Sequence, residues 1–123
     1  MTGYCFLCGN YETVEEHHIF GGPFRRKATK YKLTVKLCPW CHRIDPDSAH
    51  NSAETRYYLH QFGQRKAMAE QGWSKADFIR EFGRNYLDAE ELDEAGYLRE
   101  DEPCGDNSSA FQLIREAAEL PYG

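Results

Sequence analysis

Leu37-Cys38-Pro39-Trp40-Cys41-His42 carries two cysteines three positions apart, and Cys5-Phe6-Leu7-Cys8 repeats that spacing near the start of the chain. Two thiolates so spaced fit on one tight turn, and two such turns supply the four corners of a tetrahedral zinc site. Gly9 follows the first pair and gives that turn a permissive backbone. The pairs stand 29 residues apart. A disulfide reading would require an oxidising compartment that nothing in the composition suggests. Cys104, the fifth cysteine, stands apart and reads as a free thiol.

A staple of this kind suits the size of the chain. Its 123 residues make one compact domain with at most an appendage, which excludes a multi-domain enzyme. With 41% hydrophobic and 14% aromatic residues the sequence is that of a folded chain, but its core is small enough to gain from a metal crosslink. No apolar run reaches the roughly 18 residues of a membrane span, and the start lacks a basic region followed by an apolar one. The expectation is a soluble cytoplasmic protein with no membrane partner.

The net charge of −5 averages two unlike segments. Residues 1–87 hold 13 Lys and Arg against 9 Asp and Glu, whereas residues 88–123 hold 2 against 11. Arg25, Arg26, Lys27, Lys30, Lys32 and Lys36 place six cations within twelve residues, a local field that attracts phosphate. Arg25, Arg26, Lys27 and Lys30 are the candidate nucleic-acid contacts, in a role that positions a strand without reading bases. We divide the chain into a zinc-stabilised domain with C-terminal helices, 1–87, and an acidic helical tail, 88–123. The tail is a candidate solubilising segment, a site for a protein partner, or an internal competitor for the basic surface.

Tyr11 to Ile19 has room for one strand, and the alternation of Tyr31 to Leu37 predicts a half-buried second one, with Phe20 to Lys30 as the connecting loop. After Cys41 a short helical turn is expected, interrupted at Asp45-Pro46-Asp47-Ser48. A helix is then expected from about Ala49 to Glu70, with Tyr58, Leu59, Phe62 and Ala69 on one face. Ser74-Lys75-Ala76-Asp77 resembles a capping box, opening a helix whose stripe is Phe78, Ile79, Phe82 and Tyr86. Glu90 to Leu98 and Ala110 to Leu120 read as short acidic helices joined by a turn-rich linker.

Four of the five histidines, His17, His18, His42 and His50, fall between or just after the cysteine pairs. Together with the two Cys-x-x-Cys pairs, the element His17-His18-Ile19-Phe20-Gly21-Gly22, the cations Arg25-Arg26 and the run Leu37 to His42 resemble the HNH nucleases. These are the ββα-metal or His-Me finger family, and the likeness is to small phage- and prophage-type members with a four-cysteine zinc site. It covers about residues 4–62. Many members carry an asparagine five positions before the first cysteine of the second pair, bracing the loop between the strands; Leu33 stands there.

The resemblance implies an α+β fold, a treble-clef-like ββα-metal core followed by helices, with Cys5, Cys8, Cys38 and Cys41 on a structural Zn2+. It also implies an endonuclease that hydrolyses DNA phosphodiester bonds with one catalytic divalent cation (Mg2+, Mn2+, Ni2+ or Zn2+). His17, His42 and His50 would be its ligands and His18 the general base. Adjacent histidines on a strand point to opposite faces, so His17 and His18 fit these roles only if the strand twists or bulges. On one straight helix His42 and His50 would lie about 12 Å apart, so sharing an ion requires the chain to turn back at Asp45-Pro46-Asp47. Otherwise His50 would be a helix N-terminal residue bonded to Asp45 or Asp47. No helix here carries several base-reading side chains, so low intrinsic sequence specificity is expected. The alternative is a non-catalytic zinc-knuckle module that binds nucleic acid or protein.

Overall fold

The computed structural model describes residues 1–99. They form an α+β fold built from two two-stranded antiparallel sheets and the helices packed on them. β1 (Thr2–Tyr4) pairs with β2 (Tyr11–Thr13), and the first cysteine pair lies in the turn between them. β3 (Glu15–His18) pairs with β4 (Thr34–Leu37), placing Glu15 opposite Leu37 and His17 opposite Val35. The single strand expected over 11–19 is therefore two. Val14 separates them; its side chain is buried and its N–H donates to the Met1 carbonyl.

Two other expectations are corrected between β3 and β4. The segment read as a loop contains α1 (Arg25–Lys30), entered through a 3-10 turn at Gly22–Phe24. Pro23 sits in the first turn of that entry, where a missing N–H costs nothing. β4 begins only at Thr34, because Tyr31 closes α1 and Lys32 takes a left-handed backbone, φ 59°. Leu33, where the resemblance would place an asparagine, braces the connection by other means. It is fully buried, its N–H donates to the Ala28 carbonyl at 2.7 Å, and its carbonyl accepts from Ile19 N–H at 3.0 Å.

After β4 the chain makes a helical turn, Trp40–Ile44, closed by a wide bond from Asp45 N–H to the Trp40 carbonyl. α2 (Ala53–Gln71) starts four residues later than expected, because Ser52 is its cap: the Ser52 hydroxyl accepts from Thr55 N–H. Gly72, at φ 69°, ends it. α3 (Lys75–Phe82) opens on the expected capping box, Ser74 and Asp77 satisfying each other's backbone N–H groups. Gly83, at φ 90°, stops α3 before Tyr86, which lies beyond the helix, and Ile79 is exposed.

The core joins Ile19 and Phe20 after β3, Leu33 and Leu37, Leu59 and Met68 of α2, and Phe78 and Phe82 of α3. α2 crosses the end of β3 at Gly63, where a Cβ would stand 2.7 Å from Ile19 Cγ2. Beyond α3, buried Gln64 clamps the chain: its amide donates to Asn85 Oδ1 and its oxygen accepts from Tyr86 N–H. The helix expected over 90–98 is absent. A 3-10 turn (Ala89–Glu91) leads to a bridge between Leu92 and Leu98, and Asp93 Oδ1 accepts two backbone N–H groups in the reversal. Leu92 enters the core, and Glu91 pairs with Arg65. The expected helix at 110–120, the linker and Cys104 lie outside the described residues.

Candidate functional site

The Sγ atoms of Cys5, Cys8, Cys38 and Cys41 all lie within 4.8 Å of one another. Cys8 and Cys38 are 3.8 Å apart, close to the edge of about 3.8 Å that a tetrahedron with 2.3 Å zinc–sulfur bonds requires. Backbone groups shape the first knuckle: Gly9 N–H returns to the Cys5 carbonyl, and Gly9 itself sits at φ 80°. Phe6 N–H donates to the Lys36 carbonyl, tying that knuckle to β4. The contact with the Cys41 thiol pulls Cys5 down to about 4 and pushes Cys41 up, while desolvation raises Cys8 to about 11. Sulfurs at this spacing cannot all ionise without a cation among them. The donor set could hold a structural metal ion, and its chemistry fits zinc.

A second cluster lies beside the first. One ring nitrogen from each of His17, His42 and His50 falls within 4.8 Å of the others. β3 supplies His17, the turn after Cys41 supplies His42, and the chain doubles back to bring in His50. That reversal falls at the proline-containing segment: His50 N–H donates to the His42 carbonyl at 3.0 Å, and Ala49 N–H to the Cys41 carbonyl at 2.8 Å. Asn51 fastens it, its amide donating to the carbonyls of Arg43 and Asp45. His50 faces His42, not a carboxylate; the Asp45 side chain is occupied by Asp47 N–H.

Glu15 sets the tautomer of His42. Arg43 first, and then His42, holds the Glu15 carboxyl down at about 2, so it is an acceptor only. His42 therefore donates from Nδ1 to Glu15 Oε1 at 2.8 Å, which leaves its Nε2 lone pair facing His50 Nε2 at 3.0 Å. Octahedral coordination with metal–nitrogen bonds near 2.1 Å places neighbouring nitrogens about 3.0 Å apart, so the pair has the spacing of two ligands. Burial, then the neighbouring imidazoles, lowers His17 to about 4 and keeps it neutral, as a ligand must be. Burial also lowers His50.

The bulge that the sequence reading required between His17 and His18 is absent: β3 pairs with β4 in unbroken register, so His18 takes the face opposite His17 and meets α1. Its Nε2 lies 3.0 Å from Thr29 Oγ1. The Thr29 hydroxyl gives its own proton to the Arg25 carbonyl, so it accepts from His18, whose Nδ1 then holds the free lone pair. Of the four cations singled out in the sequence, Arg25, Arg26 and Lys30 are exposed on α1. Lys27 is not free. Its ammonium donates to the Glu81 carbonyl at 2.9 Å, and fastens α1 to α3.

Glu15, Thr29 and Asn51 have no counterpart in the sequence reading. Their partners are too remote in sequence for local spacing to single them out: Glu15 stands 27 residues from His42, and Thr29 11 from His18. Among the described residues no helix is long and apolar enough to cross a membrane. Comparison with protein-family models, curated proteins and solved structures returns no match, so function rests on these two clusters themselves.

Proposed function

We propose that the chain is an HNH-type endonuclease that hydrolyses DNA phosphodiester bonds with the help of a divalent cation. The observation that carries this reading is the convergence of His17, His42 and His50 from separated stretches, with a fourth imidazole, His18, on the opposite face of the same strand, bonded to Thr29. A cation held by the three rings would neutralise charge on the phosphate and on the departing oxygen. The chain's own residues supply the rest. His18, on the opposite face of β3, would take the proton of the attacking water at Nδ1, with the phosphate seated at the strand edge between the two faces, and its bond to Thr29 holds the ring in place. Glu15 holds His42 with Nε2 toward the site, and Arg25, Arg26 and Lys30 bear on flanking phosphates. The four-cysteine cage serves as scaffold, and backbone-directed cations favour low sequence specificity.

The test is cleavage of plasmid and linear DNA by zinc-loaded protein with Mg2+, Mn2+, Ni2+ or added Zn2+, beside His18→Ala. Loss of a positioned base is expected to slow cleavage by about 100-fold or more. Equal cleavage by both proteins, or none with any cation, would leave a zinc-stabilised binding module.

A further inference from the structure

The basic helix α1 is not the only phosphate-compatible surface. Arg56, in the first turn of α2, gives Nη1 to the carbonyls of Ala49 and His50, so its guanidinium begins where the three-histidine cluster ends. One turn on, His60 stacks on Phe20 and packs against Tyr86, with ring centres 5.2 and 4.6 Å apart. Arg84 lies over the Tyr86 ring, 4.9 Å from its centre. Tyr57 stands at the edge, 42% exposed, its hydroxyl donating to the Tyr86 carbonyl at 3.1 Å and its ring 5.9 Å from that of Tyr86. Among the described residues no carboxylate pairs with Arg56 or Arg84, whereas Arg43, Arg65 and Arg80 each have one. Two cations without a carboxylate partner, Arg56 using only Nη1 for its carbonyl bonds, thus flank an aromatic ledge that runs outward from the imidazoles along α2.

Cations that track a backbone, interleaved with aromatic faces, are the means by which proteins hold single strands. In a duplex each base already stacks on its neighbours and offers no face to a tyrosine. An unpaired base does. We infer that the ledge of Arg56, Tyr57, Arg84 and Tyr86 binds an unpaired stretch of DNA continuous with the strand at the histidine cluster, with phosphates at the arginines and a base against Tyr57. This deepens the nuclease reading by naming its substrate: DNA with single-stranded character, such as a flap, a gap or a frayed end.

The probe is fluorescein-labelled oligothymidylate, compared with a duplex of the same length, titrated by fluorescence anisotropy into the zinc-loaded full chain without added divalent cation. The single strand should bind more tightly. Tyr57→Leu should weaken it about tenfold, the worth of one stacked base, with duplex affinity changed less than twofold. Tyr57→Phe, which keeps the ring and loses only the hydroxyl bond, should bind as the parent does. Arg84→Gln should lower the salt slope for the single strand by about 0.7. A parent that prefers duplex would overturn the inference, as would a Tyr57→Leu effect equal on both probes in a protein with an unchanged melting curve. No step of this test requires cleavage. Ledge binding without cleavage by any cation would sink the nuclease reading alone, and cleavage with no single-strand preference would sink the ledge alone.

Discussion

Gly63→Ala probes the contact that sets the end of β3 against α2, and so the position of the histidine strand. In an exposed helix interior this substitution stabilises by about 1 kcal/mol, because alanine restricts the unfolded chain and favours the helix. At Gly63 the new methyl would lie 2.7 Å from Ile19 Cγ2 and 2.8 Å from Phe20 Cε2, about 1 Å inside normal contact. Neither neighbour can swing away: both are 2% exposed, and the Phe20 ring is hemmed by His60, Phe78, Phe82 and Tyr86. Overpacking of this kind costs about 1–3 kcal/mol, so the net effect is a loss of about 1 kcal/mol. In a domain this small that lowers the melting temperature by about 4–8 °C. Ile19 follows the histidine pair directly, so the shift reaches His17, and affinity for the added divalent cation should fall with it. The assays are calorimetric melting and Mn2+ titration of the zinc-loaded protein, with Gly21→Ala as control, since its Cβ meets nothing within 4 Å. A higher melting temperature for Gly63→Ala with unchanged Mn2+ affinity would refute the packing account.

Four further outcomes are expected. Cys41→Ser, or zinc removal by a strong chelator, should unfold the domain, because structural zinc contributes on the order of 10 kcal/mol of folding free energy; circular dichroism reads this directly. Acid should destabilise protein loaded only at the cysteine cage: His17 titrates near 4 when folded and near 6.5 when unfolded, so its contribution is complete above pH 6.5 and lost as pH falls toward 4. The loss is about 3 kcal/mol, and urea melts of His17→Asn should lack this share of the slope. Glu15→Gln should weaken Mn2+ binding at the histidine cluster about tenfold while leaving the zinc content at one per chain, measured by isothermal titration and elemental analysis. Thr29→Val should lower kcat about tenfold with Mn2+ affinity unchanged; a matching loss of Mn2+ affinity would mean that Thr29 supports the fold and not the base.

The sequence disclosed the donors more fully than the elements that carry them. Paired cysteines are readable because ligand spacing is a local property, and the reversal before His50 was readable because proline and two aspartates mark it. Helix starts were less so. Ala49 to Ser52 satisfy helical periodicity, but Ala49 and His50 bond back to Cys41 and His42, a long-range demand that periodicity does not register. α1 escaped notice because its six residues bury only Ala28, too little for a stripe. Glu15 and Thr29 were invisible as orienting groups, since each acts through a partner brought near only by the β3–β4 pairing and its connection.

The two clusters meet in one turn, and this couples them. Cys41 and His42 are consecutive residues of the Trp40–Ile44 turn, one directed to the sulfur cage and the other to the imidazoles. Wide helical turns of this kind are rare and concentrate at functional sites, where they re-aim side chains that a regular helix would misplace. The turn buries none of its residues, so packing does little to hold it. The Glu15 contacts to His42 and Arg43, the backbone bonds from Ala49 and His50 to the Cys41 and His42 carbonyls, and the Asn51 clasp hold it, and a metal ion at Cys38 and Cys41 would add a further tie. An empty cage would lose that tie at the foot of the turn that carries His42. Emptying the histidine cluster removes none of these contacts, and leaves His42 bonded to Glu15. A zinc ion in the cage would therefore raise the affinity of the imidazoles for a cation by preorganising them, and by linkage a cation there would stabilise the cage by the same free energy.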